Sequence, residues 1–156
     1  MILPMVDTST DEVLVSKLRE RGQRVTPQRL VIHRVLSARD QHLTAEQVLE
    51  AVSDSLPGTS LPTVYATLEL FEQLDLLRRV SVGGGALLFD SRVTPHAHAI
   101  CSGCGALSDV DLSEISIPAL GDAVKGWFRP DRTELVIWGK CADCALEDGE
   151  QLQASR

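Results

Sequence analysis

The chain has 156 residues, of which 44% are apolar and 24% are charged, and its formal net charge is −7. This length suits one ordinary domain or two small ones, and no apolar run reaches the roughly 20 residues of a membrane span. Because the N-terminus also lacks a secretion signal, we expect a cytoplasmic protein without a membrane partner. Its four cysteines then indicate metal or redox chemistry instead of disulfides.

Basic residues are concentrated near the N-terminus, although the whole chain is acidic. The segment 17–39 contains seven Lys or Arg residues and one acidic residue, Glu20. A local basic patch of this kind can bind DNA phosphates while the remaining surface stays acidic. A solvated helix face without any nucleic-acid partner is the more common explanation of an Arg-rich run.

Helical patterns cover most of the first 80 residues and predict four helices. The first covers 11–21 and stops at Gly22, and its apolar face consists of Val13, Leu14 and Leu18. Polar caps precede the other three helices: Thr26, Thr44 and Ser60. The fourth helix carries an apolar stripe that is expected to face the core: Leu61, Val64, Leu68 and Phe71.

A hairpin is predicted after the fourth helix, because the β-rich runs LLRRVSV and ALLFD flank three glycines. Helices followed by a hairpin are typical of a winged helix-turn-helix domain, whose recognition helix enters the major groove. A small helical domain that binds protein has nearly the same pattern. Under the DNA-binding interpretation, Arg24 and Tyr65 are expected to contact phosphates and Thr63 and Thr67 to lie nearer the bases, with Ser60 completing the set.

The second half of the chain has a different pattern, and the boundary is expected between Ser91 and Pro95. AHAIC, ALSDVDL and ELVIWGKC are predicted strands, and IPALGDAVKGWF is a predicted helix. We therefore predict an α+β protein. Its N-terminal winged helix-turn-helix domain covers 1–90 and a small C-terminal α+β domain covers 91–156.

Two C-x-x-C pairs predict a structural metal site. Their members are Cys101 and Cys104, and Cys141 and Cys144. Four thiolates form the closed tetrahedral set that is typical of structural Zn²⁺. A redox pair and buried free thiols are the alternatives. The redox alternative is disfavoured because neither pair lies at a strand-to-helix junction of a βαβ unit.

A second, sulfur-free metal site is indicated by His96 and His98, which lie two residues apart in a predicted strand and so point to one face. Asp90 precedes them, Asp109 follows on the next strand, and His42 lies before the third helix. Nitrogen and carboxylate ligands suit iron, manganese or zinc. The alternative is a pair of surface histidines that bind nothing.

These motifs resemble the ferric uptake regulator family, and most of all its peroxide-sensing branch. The segments VTPQRLVI, HLTAEQV, PTVYATLELF, FD, HAHAICSGCG and CADC follow the family's order. The resemblance implies a C-terminal dimerisation domain with structural Zn²⁺ on the cysteines and a regulatory Fe²⁺ or Mn²⁺ at the domain hinge. The ligands of that regulatory metal would be His42, Asp90, His96, His98 and Asp109, with Asp111 competing for the last place.

The resemblance also implies a function, which is metal-dependent repression of transcription by a homodimer on a palindromic operator in double-stranded DNA. In the peroxide-sensing branch, oxidation of a ligand histidine, here His42 or His96, would release the DNA. The alternatives are an iron- or zinc-uptake regulator that senses metal supply, a metal-dependent hydrolase and a metal buffer; we expect no enzyme. The family's further metal site is not expected, because the segment FRPDRTELVIWG has no histidine. His33 is expected to be a surface or a packing residue and not a ligand.

Overall fold

The structure is a computed structural model that describes residues 8–38, 42–81, 87–114 and 134–147. The chain divides between Val93 and Thr94 into two units, each compact on its own. No helix within the described ranges is long and apolar enough to cross a membrane.

The first unit contains helices followed by a hairpin, as predicted for a winged helix-turn-helix domain. The helices are α1 (Thr8–Glu20), α2 (Pro27–Ser37), α3 (Ala45–Val52) and α4 (Leu61–Gln73). The strands β1 (Arg78–Ser81) and β2 (Leu87–Asp90) pair antiparallel, with Arg79 opposite Phe89. The four helices and the hairpin predicted from the sequence are therefore confirmed.

The helix starts follow the predicted caps, with one difference at α4. Thr26 caps α2 through its side chain. Thr44 and Gln47 form a reciprocal capping box on α3, with N···O distances of 2.8 and 3.2 Å. Ser60 occupies the N-cap position of α4, but its hydroxyl is hydrogen-bonded to the Thr63 hydroxyl at 2.8 Å and caps no backbone N–H.

Helix α1 begins earlier than predicted, at Thr8, and ends before Gly22, whose φ of +65° a glycine adopts without strain. The helix packs through Leu14 and Leu18, which are fully buried. The prediction that Val13 also faces the core is wrong, because its side chain is 50% exposed. Neighbouring side chains on a helix point about 100° apart, so Val13 lies on the solvent side when Leu14 is buried.

The core of the first unit combines one face of each helix with strand β2. The predicted stripe of α4 lies in it, since Val64, Leu68 and Phe71 are fully buried. Burial of each such side chain stabilises the fold by roughly 1.5–3 kcal/mol. This core holds α4 and the hairpin together as one body.

Polar contacts fix the C-terminal end of α4. Lys17 of α1 donates hydrogen bonds to the carbonyl oxygens of Leu74, at 2.6 Å, and Asp75, at 3.2 Å. A cation at this end also complements the helix dipole. Arg79 of β1 lies with its Nε 2.7 Å from the Glu72 carboxylate, so the hairpin and α4 are joined by an ion pair.

The second unit contains a three-stranded sheet in the order β4-β3-β5, formed by β3 (Ala97–Cys101), β4 (Leu107–Val110) and β5 (Leu135–Gly139). Strand β3 is antiparallel to β4 and parallel to β5. The three predicted strands are confirmed, and a short helix, α5 (Ala142–Glu147), which was not predicted, follows β5. The helix predicted for IPALGDAVKGWF lies outside the described residues.

Candidate metal centres and nucleic-acid surface

The four cysteines converge because β3 and β5 are parallel neighbours. Cys101 lies opposite Gly139 in the register, so both C-x-x-C segments leave the sheet at the same end. Their four Sγ atoms all lie within 4.8 Å of one another. Four sulfur donors at such separations form the donor set of structural Zn²⁺. The structure thus brings together the four residues that the sequence predicted as one site.

The turn of the first pair is fitted closely to the second pair. The backbone N–H of Cys141 donates to the Sγ of Cys101 at 3.2 Å. A Cβ atom added at Gly103 would lie 2.9 Å from the Sγ of Cys144, which is closer than such atoms approach. Position 103, directly before Cys104, must therefore be glycine for the four sulfur atoms to come together.

Hydrogen bonds shift the pKa values of the Cys101 and Cys144 thiols in opposite directions. The backbone N–H groups of Cys104 and Cys141 lower the pKa of the Cys101 thiol to about 6. The neighbouring thiols, first of all that of Cys141, raise the pKa of Cys144 to about 12. One thiolate therefore forms readily, whereas four together require a cation to offset their mutual repulsion.

The second unit also carries two histidines and a carboxylate that face each other across β3 and β4. His98 and Asp109 are register partners, and His96 lies two residues before His98 on the same face. The Nε2 atoms of the two rings are 2.9 Å apart, and the Asp109 Oδ1 lies 3.5 Å from His96 Nε2 and 3.8 Å from His98 Nε2. Three candidate ligand atoms thus point to one place.

A backbone contact sets the tautomer of His96. Its Nδ1 lies 2.8 Å from the carbonyl oxygen of Thr94, and only a protonated Nδ1 can donate to that oxygen. In the neutral ring the lone pair is then on Nε2, the atom that faces His98 and Asp109. A carbonyl partner on the opposite ring nitrogen is the usual support of a metal-binding histidine.

The geometry separates Asp109 from its competitor Asp111. The Oδ1 of Asp111 accepts hydrogen bonds from the backbone N–H of Ser113 at 3.0 Å and from its hydroxyl at 2.9 Å. Asp111 thereby caps the short 3₁₀ turn that follows β4. Asp109 is the carboxylate that lies beside the two histidines.

The first unit carries a second His–Asp pair, His42 and Asp90. Leu43, which precedes α3, and Phe89 of strand β2 form an antiparallel bridge with N···O distances of 3.1 and 2.8 Å. The flanking residues therefore lie side by side, with His42 Nε2 3.7 Å from Asp90 Oδ2. Asp90 is oriented by its Oδ1, which accepts the Arg92 N–H at 2.7 Å.

The Leu43–Phe89 bridge, which brings His42 beside Asp90, was not predicted from the sequence. A single bridge has no strand-length alternation that could reveal it. The only available signal was the pair of polar residues, His42 and Asp90, that flank two apolar ones in separate segments.

The donor atoms in both units fit the predicted cations. The sulfur-only cluster suits Zn²⁺, whereas imidazole and carboxylate donors suit Fe²⁺ or Mn²⁺, with Zn²⁺ also possible. The described residues thus contain two chemically different kinds of metal-binding group, as the sequence predicted.

The DNA-facing residues predicted on α4 differ in their surroundings. Ser60 is exposed, and Thr63 and Tyr65 are half-buried. Tyr65 donates its hydroxyl to the Glu46 carboxylate at 3.4 Å. The prediction that Thr67 lies near the bases is wrong: its side chain is only 6% exposed, and its hydroxyl donates to the Thr63 carbonyl oxygen at 2.9 Å.

Part of the basic segment is engaged within the unit. The Arg34 guanidinium donates to both carboxylate oxygens of Asp11, with Nε···O distances of 3.0 and 3.1 Å, and lowers the pKa of that carboxyl. Arg29 donates to the carbonyl oxygen of Arg24. The side chain of Arg24 is exposed, which leaves it as a candidate for phosphate contact, and Arg39 lies outside the described residues.

His33 packs in the core, which is one of the two non-ligand roles predicted for it. It is 5% exposed, and its ring meets that of Phe71 edge-on with centroids 5.6 Å apart. Burial lowers the pKa of His33, against a smaller opposite effect from Asp11. This histidine is therefore a structural residue and belongs to neither group of candidate ligands among the described residues.

Comparisons with known proteins agree with this geometry. Residues 20–126 match the profile of the Ferric uptake regulator family. The peroxide-responsive repressor PerR of Staphylococcus epidermidis is 30% identical over 146 residues, which cover 93% of this chain and 96% of that protein. The transcriptional regulator FurA of Mycobacterium tuberculosis is 32% identical over 133 residues, which cover 85% and 90% of the two chains.

The fold has solved counterparts as well. The Helicobacter pylori ferric uptake regulator Fur, described as having three functional metal-binding sites, matches with a TM-score of 0.71. The match covers 99% of this chain and 100% of that one, at 18% sequence identity. At this identity the likeness establishes a shared fold.

Proposed function

Since the chain belongs to the ferric uptake regulator family and is a metal-responsive regulator, we propose that it is a DNA-binding transcriptional repressor that senses peroxide. The observation that carries this proposal is the pairing of histidine with aspartate in each unit, His42 with Asp90 and His98 with Asp109. Both pairs offer nitrogen and oxygen donors and are separate from the thiol cluster. The staphylococcal relative at 30% identity is a peroxide-responsive repressor, which supports the choice of signal.

The regulatory metal would be Fe²⁺ or Mn²⁺, held by donors of both units: His42, Asp90, His96, His98 and Asp109. The winged-helix domain, 1–90, contributes the first two donors and the domain 91–156 contributes the others. An ion that all five bind would fix the angle between the domains. In a dimer, that angle decides whether both recognition helices reach major grooves about one helical turn apart.

The required coupling energy is modest. Metal that tightens DNA binding ~100-fold must favour the binding-competent arrangement by about 2.7 kcal/mol. Several ligand bonds from buried or half-buried side chains are enough for a coupling of this size. Within each unit the donors already lie side by side before an ion binds, which keeps the cost of ordering them small.

Peroxide sensing would use a ligand histidine. Fe²⁺ held at this site would activate peroxide. One peroxide oxygen would enter a ring C–H bond of a ligand imidazole, His42 or His96, and the other would leave as water, so that the ring itself supplies the two electrons. The oxidised ring would no longer offer a nitrogen lone pair to the metal, so the site would lose one donor. The domain angle would then no longer be fixed, and the protein would leave the DNA.

The cysteines would hold structural Zn²⁺, which cross-links the end of β3 to the segment after β5. This assignment gives the thiol cluster a stabilising role and no part in sensing. It follows from the sulfur-only donor set, which has no place for a substrate.

The DNA partner would be a palindromic operator bound by a homodimer. Strand β5 lies at one edge of the described sheet, and its Ile137 and Trp138 are 41% and 52% exposed. Two copies of one edge strand can pair about a two-fold axis, which makes such an edge self-complementary. On α4 and before α2, Ser60, Thr63, Tyr65 and Arg24 are the proposed DNA contacts.

One experiment tests the sensing proposal. Protein purified without oxygen is analysed for metal, and its binding to a palindromic promoter is measured before and after peroxide. We expect bound iron, loss of DNA binding on peroxide and a gain of about 16 Da on a peptide with His42 or His96. DNA binding that follows iron or zinc supply and ignores peroxide would instead indicate an uptake regulator, the function after which the matched family is named.

A further inference from the structure

Tyr65, on the recognition helix, is held by the two segments that carry the metal donors of the first unit. Its hydroxyl donates to Glu46, in the first turn of α3, at 3.4 Å. Its ring meets that of Phe89 edge-on, with centroids 6.4 Å apart and planes at 66°. His42 lies just before α3, and Asp90 directly follows Phe89. The surroundings of Tyr65 are thus built from the same backbone as the His42–Asp90 pair.

The Leu43–Phe89 bridge links the two segments. Its hydrogen bonds, 2.8 and 3.1 Å long, lie one residue from His42 and Asp90. Phe89 is 1% exposed, so its ring cannot turn without moving its neighbours. A change in the separation of His42 and Asp90 therefore alters the position of the Phe89 ring against Tyr65.

The two ends of α4 are supported differently. Its C-terminal end is anchored by Lys17, bonded to the Leu74 carbonyl oxygen, and by the ion pair of Arg79 with Glu72. Neither anchor involves a metal donor. In the N-terminal half, the side chain of Tyr65 contacts Phe89 and Glu46. A metal that acts through these two residues would thus change the position of the Tyr65 side chain and leave the C-terminal end of α4 fixed.

We propose that metal binding at His42 and Asp90 also acts inside the winged-helix domain, by fixing the Leu43–Phe89 bridge and thereby the side chain of Tyr65. Phe89 and Glu46 are then positioning residues for Tyr65 and touch no ion themselves. This proposal rests on the proposed function, because it requires a metal at the His–Asp pair. The metal would then act in two ways: through the angle between the domains and, by this local route, through Tyr65 within the winged-helix domain.

The chain offers a site-specific probe, because Tyr65 is its only tyrosine. Full-length protein labelled with 3-fluorotyrosine gives one ¹⁹F resonance, and diamagnetic Zn²⁺ serves as the regulatory metal once the cysteines are loaded. We expect the resonance to shift with the second equivalent of Zn²⁺. In Phe89→Leu we expect the metal to bind, as measured by calorimetry, with the shift lost. The Mn²⁺-dependent gain in DNA affinity should fall from ~100-fold to about 10-fold.

Two further variants control the experiment. Phe71→Leu makes the same change in the same core, against His33, and should lower stability while the Tyr65 shift and the metal dependence stay. Glu46→Ala changes an exposed side chain and keeps the fold, so it tests the second contact even where Phe89→Leu does not fold. We expect a reduced Tyr65 shift in it.

The possible outcomes distinguish a failure of this inference from a failure of the proposed function. A wild-type Tyr65 resonance that ignores the second metal, in a protein whose DNA binding depends on metal, overturns the local route and leaves the proposed function standing. The local route is equally overturned if Phe89→Leu and Glu46→Ala both keep the full shift. DNA binding by the wild type that is independent of metal overturns both proposals.

Discussion

His98 and Asp109 lie directly opposite each other in the register of β3 and β4, whereas Asp111, two residues further on, caps a turn with the same kind of oxygen. Alternation along a strand would allow either carboxylate to face the histidines. Their hydrogen-bonding partners distinguish them.

This difference predicts that Asp109→Ala removes the dependence of DNA binding on Mn²⁺ and that Asp111→Ala keeps it. Asp111→Ala should only lower stability slightly, by about 1 kcal/mol for the lost cap. Fluorescence anisotropy with labelled operator, with and without Mn²⁺, measures both variants. Loss of metal dependence in Asp111→Ala alone would reverse the assignment.

Removal of a donor in the first unit is predicted to uncouple metal from DNA. His42→Ala and Asp90→Ala should retain the structural Zn²⁺ and the dimer, while the ~100-fold gain in DNA affinity falls to near onefold. Zinc analysis and the mass in solution provide the controls for folding. If both variants keep metal-dependent binding, the two-unit metal site does not exist.

Gly103 and Gly139 form a matched pair for testing the thiol cluster. A Cβ at Gly103 would lie 2.9 Å from the Cys144 sulfur, whereas a Cβ at Gly139 would meet nothing within 4 Å. We expect Gly103→Ala to release Zn²⁺ to a chelating dye at least tenfold faster than the wild type, and Gly139→Ala to resemble the wild type. Cys101→Ser should lose the Zn²⁺ and unfold the second unit; a stable zinc-free variant would contradict the structural role.

His33 predicts a specific dependence of stability on pH. Because burial lowers its pKa from the ordinary 6.5, the unfolded chain takes up a proton before the folded one does. The contribution of the neutral ring is therefore complete above pH 6.5 and decreases as the pH falls below it. Urea unfolding of the wild type and of His33→Leu between pH 8 and pH 5 measures the difference. If the free energies of unfolding of the two proteins change in parallel between pH 8 and pH 5, the role of His33 is refuted.

Local patterns were enough to predict the elements that depend on neighbours in sequence. The capping box of Thr44 and Gln47 and the two cysteine pairs each depend on residues three apart in sequence. The first turn of a helix and the tight turn of a C-x-x-C segment bring such residues together wherever they occur. Helix α5 was not foreseen, because six residues are too few for a periodic pattern.

Predictions failed where the choice of face depended on packing. Thr67 lies three residues after Val64 and four before Phe71, a spacing that places it on the buried face whatever its polarity. Val13 shows the reverse, since it is apolar but next to the buried Leu14 on the helix surface. The Leu43–Phe89 bridge joins segments far apart in the chain, and its existence depends on how the helices pack.

The parallel pairing of β3 with β5 has a consequence for synthesis. The first C-x-x-C pair is synthesised well before the second, because the whole segment between β3 and β5 separates them. A nascent chain that stops before Cys141 has half of the four sulfurs and would not hold Zn²⁺ as all four together would. Retention of Zn²⁺ would therefore report that translation has passed the second C-x-x-C pair.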